Sequence, residues 1–361
     1  MQYPLIDVLR AVAALLVMVY HVMALGQLSV FPDSLWGLPL RNGWIGVDLF
    51  LVISGFVITL SAAREWEKNP QGFRWRFMQR RLKRLLPLYA LTCVVFVFLV
   101  RPEILTRPAG QVVALVLSHA LFFQNLSPKT HGVFNGVTWS LALEMQFYVA
   151  LVFGIGWLLK LGAWRALLAL VATSLAWRYG TTFVLKPGEA IPHLQVIYTT
   201  QLPGTLDAFG MGIALALLVV KGQGFWARRL LPGWKNCLLW FVFASALLWL
   251  AGNLFIPRAY YWSHAGMVIF WRTILALGFG AALAAVITCP LRGGGVLRPL
   301  RYLGQISYGI YLWHFAVLQA LLTLPNLRGG ALFLTLLAGT LLLSSLSWHL
   351  MEKHWIRIPP R

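Results

Sequence analysis

Cysteine and acidic residues are both scarce in this chain of 361 residues. Its three cysteines, Cys93, Cys237 and Cys289, lie in or beside hydrophobic segments with no paired spacing, which argues against a disulfide framework and a cysteine metal site. Only 11% of the residues are charged, whereas 59% are hydrophobic, and this composition excludes a soluble globular protein. The sequence contains no internal repeat and no low-complexity segment.

Apolar stretches recur from one end of the sequence to the other, and most of them are long enough to cross a bilayer as a helix. They predict an all-α, polytopic membrane protein. The eleven stretches are 5–25, 43–62, 85–100, 111–124, 137–160, 163–180, 202–220, 236–256, 267–288, 302–324 and 331–350. We expect residues 1–361 to form a single transmembrane domain with no fused soluble domain.

Basic residues predict how these stretches are oriented. The loop 64–84 is the most basic in the chain, so we place it in the cytoplasm, together with 221–235, 289–301 and the C-terminal tail. An even number of crossings must then lie between residues 85 and 220, where the sequence has five apolar stretches. The shortest, 111–124, is predicted to be re-entrant or interfacial. About ten transmembrane helices result, with both termini cytoplasmic.

The net charge of +20 has a simple explanation in a protein of this class. Basic residues at the ends of membrane helices set orientation and contact lipid headgroups. We therefore expect membrane lipids as partners and no nucleic acid.

Five of the ten acidic residues lie in or at the ends of apolar segments, where a charged group is costly and therefore a candidate for function. They are Asp7, Asp48, Glu144, Asp207 and Glu352. Arg10 and His21 lie in the first apolar stretch, eleven residues apart. This spacing puts both on one helix face, about 16 Å apart.

The predicted orientation sorts these polar residues into two layers. In the outer half of the bilayer we expect His21, Glu144, Asp48 and Asp207. On the cytoplasmic side we expect Asp7, Arg10, Glu352 and the basic run 80–84. His314 should lie near mid-depth. A carboxylate beside an imidazole orients it and fixes its tautomer, as a general base acting on a hydroxyl requires. Arginines on the cytoplasmic side would suit a phosphorylated donor, because guanidinium binds phosphate through paired hydrogen bonds.

Spacing alone leaves other interpretations open. A chain of intramembrane histidine and acids also fits a proton-coupled transporter or exporter. A single intramembrane histidine also commonly packs between two helices as a structural polar residue.

Six motifs in order decide between these interpretations. They contain Arg10 and His21; Gly46, Asp48, Phe50, Ser54 and Gly55; Arg81, Arg84, Pro87 and Tyr89; Trp139, Ser140, Leu141, Glu144, Phe147 and Tyr148; Ser307, Tyr308, Tyr311 and His314; and Glu352. Together they resemble the acyltransferase-3 family of multi-pass membrane acyltransferases over about residues 4–356. The sequence departs from the family at its end, where His354 stands in place of the proline that usually follows the glutamate.

The resemblance implies an acyl-CoA-dependent O-acyltransferase of a bacterial cytoplasmic membrane, which moves an acyl group, commonly acetyl, to a hydroxyl. The acceptor would be a polysaccharide unit, a lipid-linked sugar, peptidoglycan or a small metabolite. His21 would be the catalytic base or would carry the acyl group, oriented by Glu144 or another acid, and no metal is required.

The remaining residues receive expected roles from the same resemblance. Arg10, Arg81 and Arg84 would bind the donor or position the helices. The expected supporting polar residues are Asp7, Asp48, Trp139, Ser140, Asp207, Ser307, Tyr308, His314 and Glu352.

Overall fold

A computed structural model describes residues 3–26, 37–186, 192–222, 224–258, 261–291 and 294–357 of the protein. Within these residues the secondary structure is helical, with no strand. Nine helical segments in the described part of the chain are long and apolar enough to cross a membrane. The prediction of an all-α, polytopic membrane protein is confirmed. Part of the loop 289–301 and the tail beyond residue 357 lie outside the described residues.

Twelve of the sixteen α-helices in the described residues contain the predicted apolar stretches, and three of the twelve continue into or begin from a π-helical turn. They are α1 (Ile6–Gly26), α2 (Gly46–Lys68), α3 (Phe73–Val95), α4 (Ala109–Ala120), α5 (Trp139–Leu161), α6 (Ala163–Val184), α7 (Leu202–Lys221), α8 (Trp234–Phe255), α9 (Arg272–Thr288), α10 (Arg298–Gln305), α11 (Ser307–Leu321) and α12 (Gly329–Ser347). The π-helical turns are Phe96–Val100 after α3, Met267–Trp271 before α9 and Trp348–Glu352 after α12.

Two regions depart from a simple membrane helix. The stretch predicted not to cross forms α4, whose 12 residues span about 18 Å, too short for a hydrocarbon core of about 30 Å. The stretch 302–324 divides into α10 and α11. The described residues contain nine segments long enough to cross, against the prediction of about ten transmembrane helices.

Large apolar side chains point outward from the long helices. On α8, Leu238, Phe241, Val242 and Trp249 are each more than half exposed. In water such a surface would be unfavourable, but lipid tails cover it without cost. The outward apolar surface is therefore that of a membrane protein.

The chain forms two compact units. The first consists of Met1–Leu9, Asp48–Arg74 and Gln146–Arg298. Within it, α2 and α7 approach closely because glycine stands at both contacts: a Cβ on Gly55 would collide with the backbone of Phe209, and one on Gly212 with that of Val52.

The second unit consists of Arg10–Val47, Trp75–Met145 and Pro299–Arg361. Met18 and Val22 of α1 pack in one buried cluster with Leu318 of α11 and with Leu332 and Leu336 of α12. This packing places the polar face of α1 beside α11.

Candidate active site

Two histidines from distant parts of the sequence meet in the second unit. His21 on α1 and His314 on α11 lie with Nδ1 of His21 3.1 Å from Nε2 of His314. Each Nδ1 also contacts a carbonyl of its own helix, that of Val17 at 3.0 Å for His21 and that of Ile310 at 2.9 Å for His314. His314 is fully buried. The sequence analysis predicted His314 as a supporting residue but did not identify it as the neighbour of His21.

Aromatic rings enclose the imidazole of His21. The rings of Tyr20 and Phe315 each stand edge-on to it, with centroids 5.2 Å away in both cases. Phe315 stacks in turn on Phe96, at 6.2 Å. Because rings on two sides restrict rotation of the imidazole, its orientation is well defined.

A second contact joins the same two helices near their first turns. Nε of Arg10 donates a hydrogen bond to the hydroxyl of Ser307 at 3.2 Å. The residue pairs advance in the same direction, from Arg10 to His21 on α1 and from Ser307 to His314 on α11. The two helices therefore run parallel, and the predicted common face of Arg10 and His21 is the face that meets α11.

Glu352 is a buried acid that interacts electrostatically with two of the arginines that the sequence assigned to the donor. It lies at the end of the π-helical turn after α12, is 4% exposed, and accepts a hydrogen bond from Ser347 at 3.2 Å. Arg84 and Arg10 are the cations whose charges act on its carboxyl group. Arg81, one helical turn before Arg84, is buried with its guanidinium 5.1 Å from the centroid of the Phe77 ring.

The other motif residues of α11 connect it to neighbouring segments of the second unit. The hydroxyl oxygens of Tyr311 and Ser140 lie 2.7 Å apart, and each hydroxyl lies within hydrogen-bonding distance of the Val137 carbonyl. Tyr308 donates to the carbonyl of Leu85 at 2.8 Å. These bonds hold the start of α5 and the middle of α3 against α11.

Glu144 and Trp139 lie in the first two turns of α5. The charge of Glu144 acts on Tyr311, whose ring centroid is 6.0 Å from that of His314. Trp139 stacks on His131 with centroids 5.7 Å apart. The orientation of His21 by Glu144 stays a prediction.

Three predicted acids, Asp7, Asp48 and Asp207, belong to the first unit. Asp48 accepts a hydrogen bond from Arg272 at 2.9 Å, and Asp207 accepts one from Arg178 at 2.5 Å. Asp7 is buried in the first turn of α1.

The sequence analysis missed Arg178 and Arg272. Each is an arginine within a predicted apolar stretch, 163–180 for Arg178 and 267–288 for Arg272, and that signal would have identified both.

No group of three or more histidine, cysteine, aspartate or glutamate side chains that could hold a metal occurs among the described residues. The two groups that meet at this site are the imidazoles of His21 and His314. The chemistry available there is proton transfer and nucleophilic attack by imidazole.

The family model described as an acyltransferase domain matches residues 3–349. The chain belongs to the acyltransferase-3 family. Among the proteins similar to this chain is the peptidoglycan O-acetyltransferase OatA of Listeria monocytogenes, 29% identical over 97% of this chain and 55% of the relative. The proposed membrane-bound transacylase BcsY of Komagataeibacter xylinus is 31% identical over 96% of this chain and 81% of the relative.

The O-acetyltransferase OatA of Staphylococcus aureus is 24% identical over 87% of this chain and 50% of the relative. The chain thus spans about half the length of the two OatA relatives. No solved structure matches it.

Proposed function

We propose that this acyltransferase is an O-acetyltransferase of the bacterial cytoplasmic membrane that uses acetyl-CoA from the cytoplasm. The acceptor is a glycan hydroxyl on the outer side, of the kind named for the peptidoglycan O-acetyltransferase of Listeria monocytogenes. The observation that carries the proposal is the pairing of α1 with α11, which sets Arg10 with Ser307 at one level and His21 with His314 at another.

The two levels suit the two ends of an acyl-CoA molecule. Arg10 and Arg84, which act on Glu352, provide positive charge for the coenzyme A phosphates together with Arg81. His21 lies three turns further along α1, about 16 Å from Arg10. The donor would extend its thioester along this face toward the imidazole.

In the proposed reaction His21 acts as the general base. The acceptor hydroxyl gives its proton to the imidazole, and its oxygen forms a bond to the thioester carbonyl carbon. The carbon–sulfur bond then breaks, and the departing thiolate takes the proton from the imidazolium. The products are the ester and coenzyme A, and His21 returns to its neutral form.

Thiol release by the full chain in detergent tests this function. The purified protein should release coenzyme A from acetyl-CoA when peptidoglycan fragments are added, and His21→Ala should abolish the release. His264→Ala, which removes an exposed histidine of the first unit, is the matched control and should retain full activity.

A transporter gives a different result in the same assay. Detergent abolishes any gradient, so a proton-coupled carrier would consume no acetyl-CoA with or without His21. Mass spectrometry of cell-envelope glycans should also show the loss of an acetyl increment in cells that carry His21→Ala. Release that survives this substitution would contradict the assignment of His21.

A further inference from the structure

The proton of His314 has a fixed position. Its Nδ1 lies 2.9 Å from the carbonyl oxygen of Ile310, and a carbonyl can only accept a hydrogen bond. Nδ1 therefore carries the proton. His314 is fully buried, which favours the neutral imidazole with a single N–H. Its Nε2 then presents a lone pair.

That lone pair and a backbone carbonyl together determine where the proton of His21 lies. Nδ1 of His21 is 3.1 Å from Nε2 of His314 and 3.0 Å from the carbonyl oxygen of Val17. Both neighbours are acceptors, so an unprotonated Nδ1 would face two lone pairs. Protonated, it donates to both. In a neutral imidazole, the lone pair of His21 must therefore be on Nε2.

We propose that His314 is a positioning residue for acyl transfer: together with the Val17 carbonyl, it holds the imidazole of His21 in the orientation in which Nε2 can accept the proton of the acceptor hydroxyl. The role of His314 in catalysis rests on the proposed function, whereas the tautomer of His21 does not. The orienting partner of His21 in this proposal is the neutral imidazole of His314, whose proton is held by a backbone carbonyl. The sequence had predicted a carboxylate in this role.

The proton balance shows what His314 does during turnover. When Nε2 of His21 takes the hydroxyl proton, His21 becomes an imidazolium with an N–H on each nitrogen. Its Nδ1–H continues to donate to His314 and to Val17, so no bond has to rearrange. The same hydrogen bonds thus orient the base and stabilise the cation it becomes, and the proton later leaves with the thiolate.

Two substitutions separate positioning from packing. His314→Leu removes the acceptor, and His314→Gln keeps an amide oxygen near the place of Nε2. We expect His314→Leu to lower kcat about 10- to 100-fold, the usual cost of losing an orienting partner, with the KM for acetyl-CoA unchanged. His314→Gln should recover most of the rate. An equal loss of kcat in both variants, or a rise in KM alone, would overturn the proposal.

His119 provides a matched control. It is also buried in the second unit, and its Nδ1 lies 2.8 Å from a carbonyl of its own helix, that of Leu115. His119→Leu makes the same chemical change at a comparable site and should leave kcat near that of the wild type. If both leucine variants lowered kcat to the same extent, a general packing defect would explain the loss and His314 would have no special role.

The tautomer can be measured without turnover. Ring ¹⁵N spectra of the histidine-labelled full chain in detergent, assigned by the His21→Ala difference, should show a protonated Nδ1 and an unprotonated Nε2 on His21. His314→Leu removes one of the two acceptors of this proton and should broaden and shift the Nδ1 and Nε2 resonances of His21, because the ring is then oriented by the Val17 carbonyl without His314. A proton on Nε2 in the wild type would overturn the inference even in an active enzyme. The expected tautomer in a protein that never consumes acetyl-CoA would support the inference and overturn the proposed function.

Discussion

Arg10 on α1 is bonded through its Nε to the hydroxyl of Ser307, the first residue of α11, at 3.2 Å. The bond fixes one edge of a guanidinium group whose charge also acts on Glu352. A donor phosphate that binds Arg10 would therefore meet a side chain already held in place. Such preorganisation lowers the entropy cost of binding.

Ser307→Ala tests this role. The hydroxyl is buried and a hydrogen bond to a charged group contributes about 1.5 kcal/mol or more, so the KM for acetyl-CoA should rise about 10-fold with little change in kcat. Ser345→Ala is the control, because it removes a hydroxyl that accepts from Tyr302 on the same unit. Steady-state kinetics in detergent measure both, and a similar KM in the two variants would contradict the role of Ser307.

Arg81 and Arg84 provide the second prediction. Replacing both with alanine should raise the KM for acetyl-CoA about 10- to 100-fold, because charge-assisted hydrogen bonds to phosphate are lost. The KM for the acceptor should stay nearly constant. Added salt should weaken donor binding more in the wild type than in the double variant, since screening acts on the charges that the variant lacks.

The double variant Arg64→Ala with Lys68→Ala is the matched control for this charge change. Both residues are exposed and lie in the same predicted cytoplasmic loop, 64–84. Their loss removes two positive charges without touching Arg81 or Arg84. If both double variants raised the KM for acetyl-CoA equally, the overall positive charge of the loop would account for donor binding. A selective rise in the acceptor KM would contradict the donor assignment.

The sequence predicted the helices well because membrane helices are read from local composition. About ten crossings and a short segment near 111–124 follow from hydropathy and loop charge, and the described residues contain nine long spans and the 12-residue α4. The helix pair that carries the site could not be predicted in this way. His21 and His314 are 293 residues apart, and hydropathy does not state which helices are neighbours.

The arginine partners of the acids were missed for a different reason. Basic residues in a membrane protein mostly indicate how its helices are oriented. An arginine inside a helix is easily overlooked when basic residues are interpreted only in this way. Arg178 is completely buried and bonded to Asp207, and Arg272 is bonded to Asp48. A buried carboxylate with no cation nearby would be costly, so each intramembrane acid implied such a partner.

Gly136 provides a steric test of the site. A Cβ at this position would lie 2.5 Å from Cζ of Phe315, the ring that stands edge-on to His21. Gly136→Ala should displace this ring and the imidazole with it, and lower kcat about 10-fold or more, as small misplacements of catalytic groups do. Gly136→Ala combined with Phe315→Leu should recover part of the rate, because the shorter side chain makes room for the methyl group.

Gly154→Ala is the control for this substitution. A Cβ there has no atom within 4 Å, so the variant should keep wild-type kcat. Turnover and thermal unfolding of all three variants provide the measurement. If Gly136→Ala loses folded protein instead of rate, or if Phe315→Leu brings no recovery, the ring does not transmit the effect to His21.

Substitutions in the ion pair of Asp48 and Arg272 test whether this intramembrane acid has a structural or a catalytic role. Both side chains are buried in the first unit, so removing one breaks the ion pair and leaves the other charge buried. Asp48→Leu or Arg272→Met alone should lower the free energy of unfolding by about 3–5 kcal/mol. The two substitutions together replace the pair by apolar side chains and should come within about 1 kcal/mol of the wild type. Denaturant unfolding in mixed micelles measures this cycle. The double variant should also keep its kcat, because the pair acts by holding α9 against α2. A stable double variant without activity would instead indicate that Asp48 takes part in catalysis, as its predicted place in the outer half of the bilayer suggested.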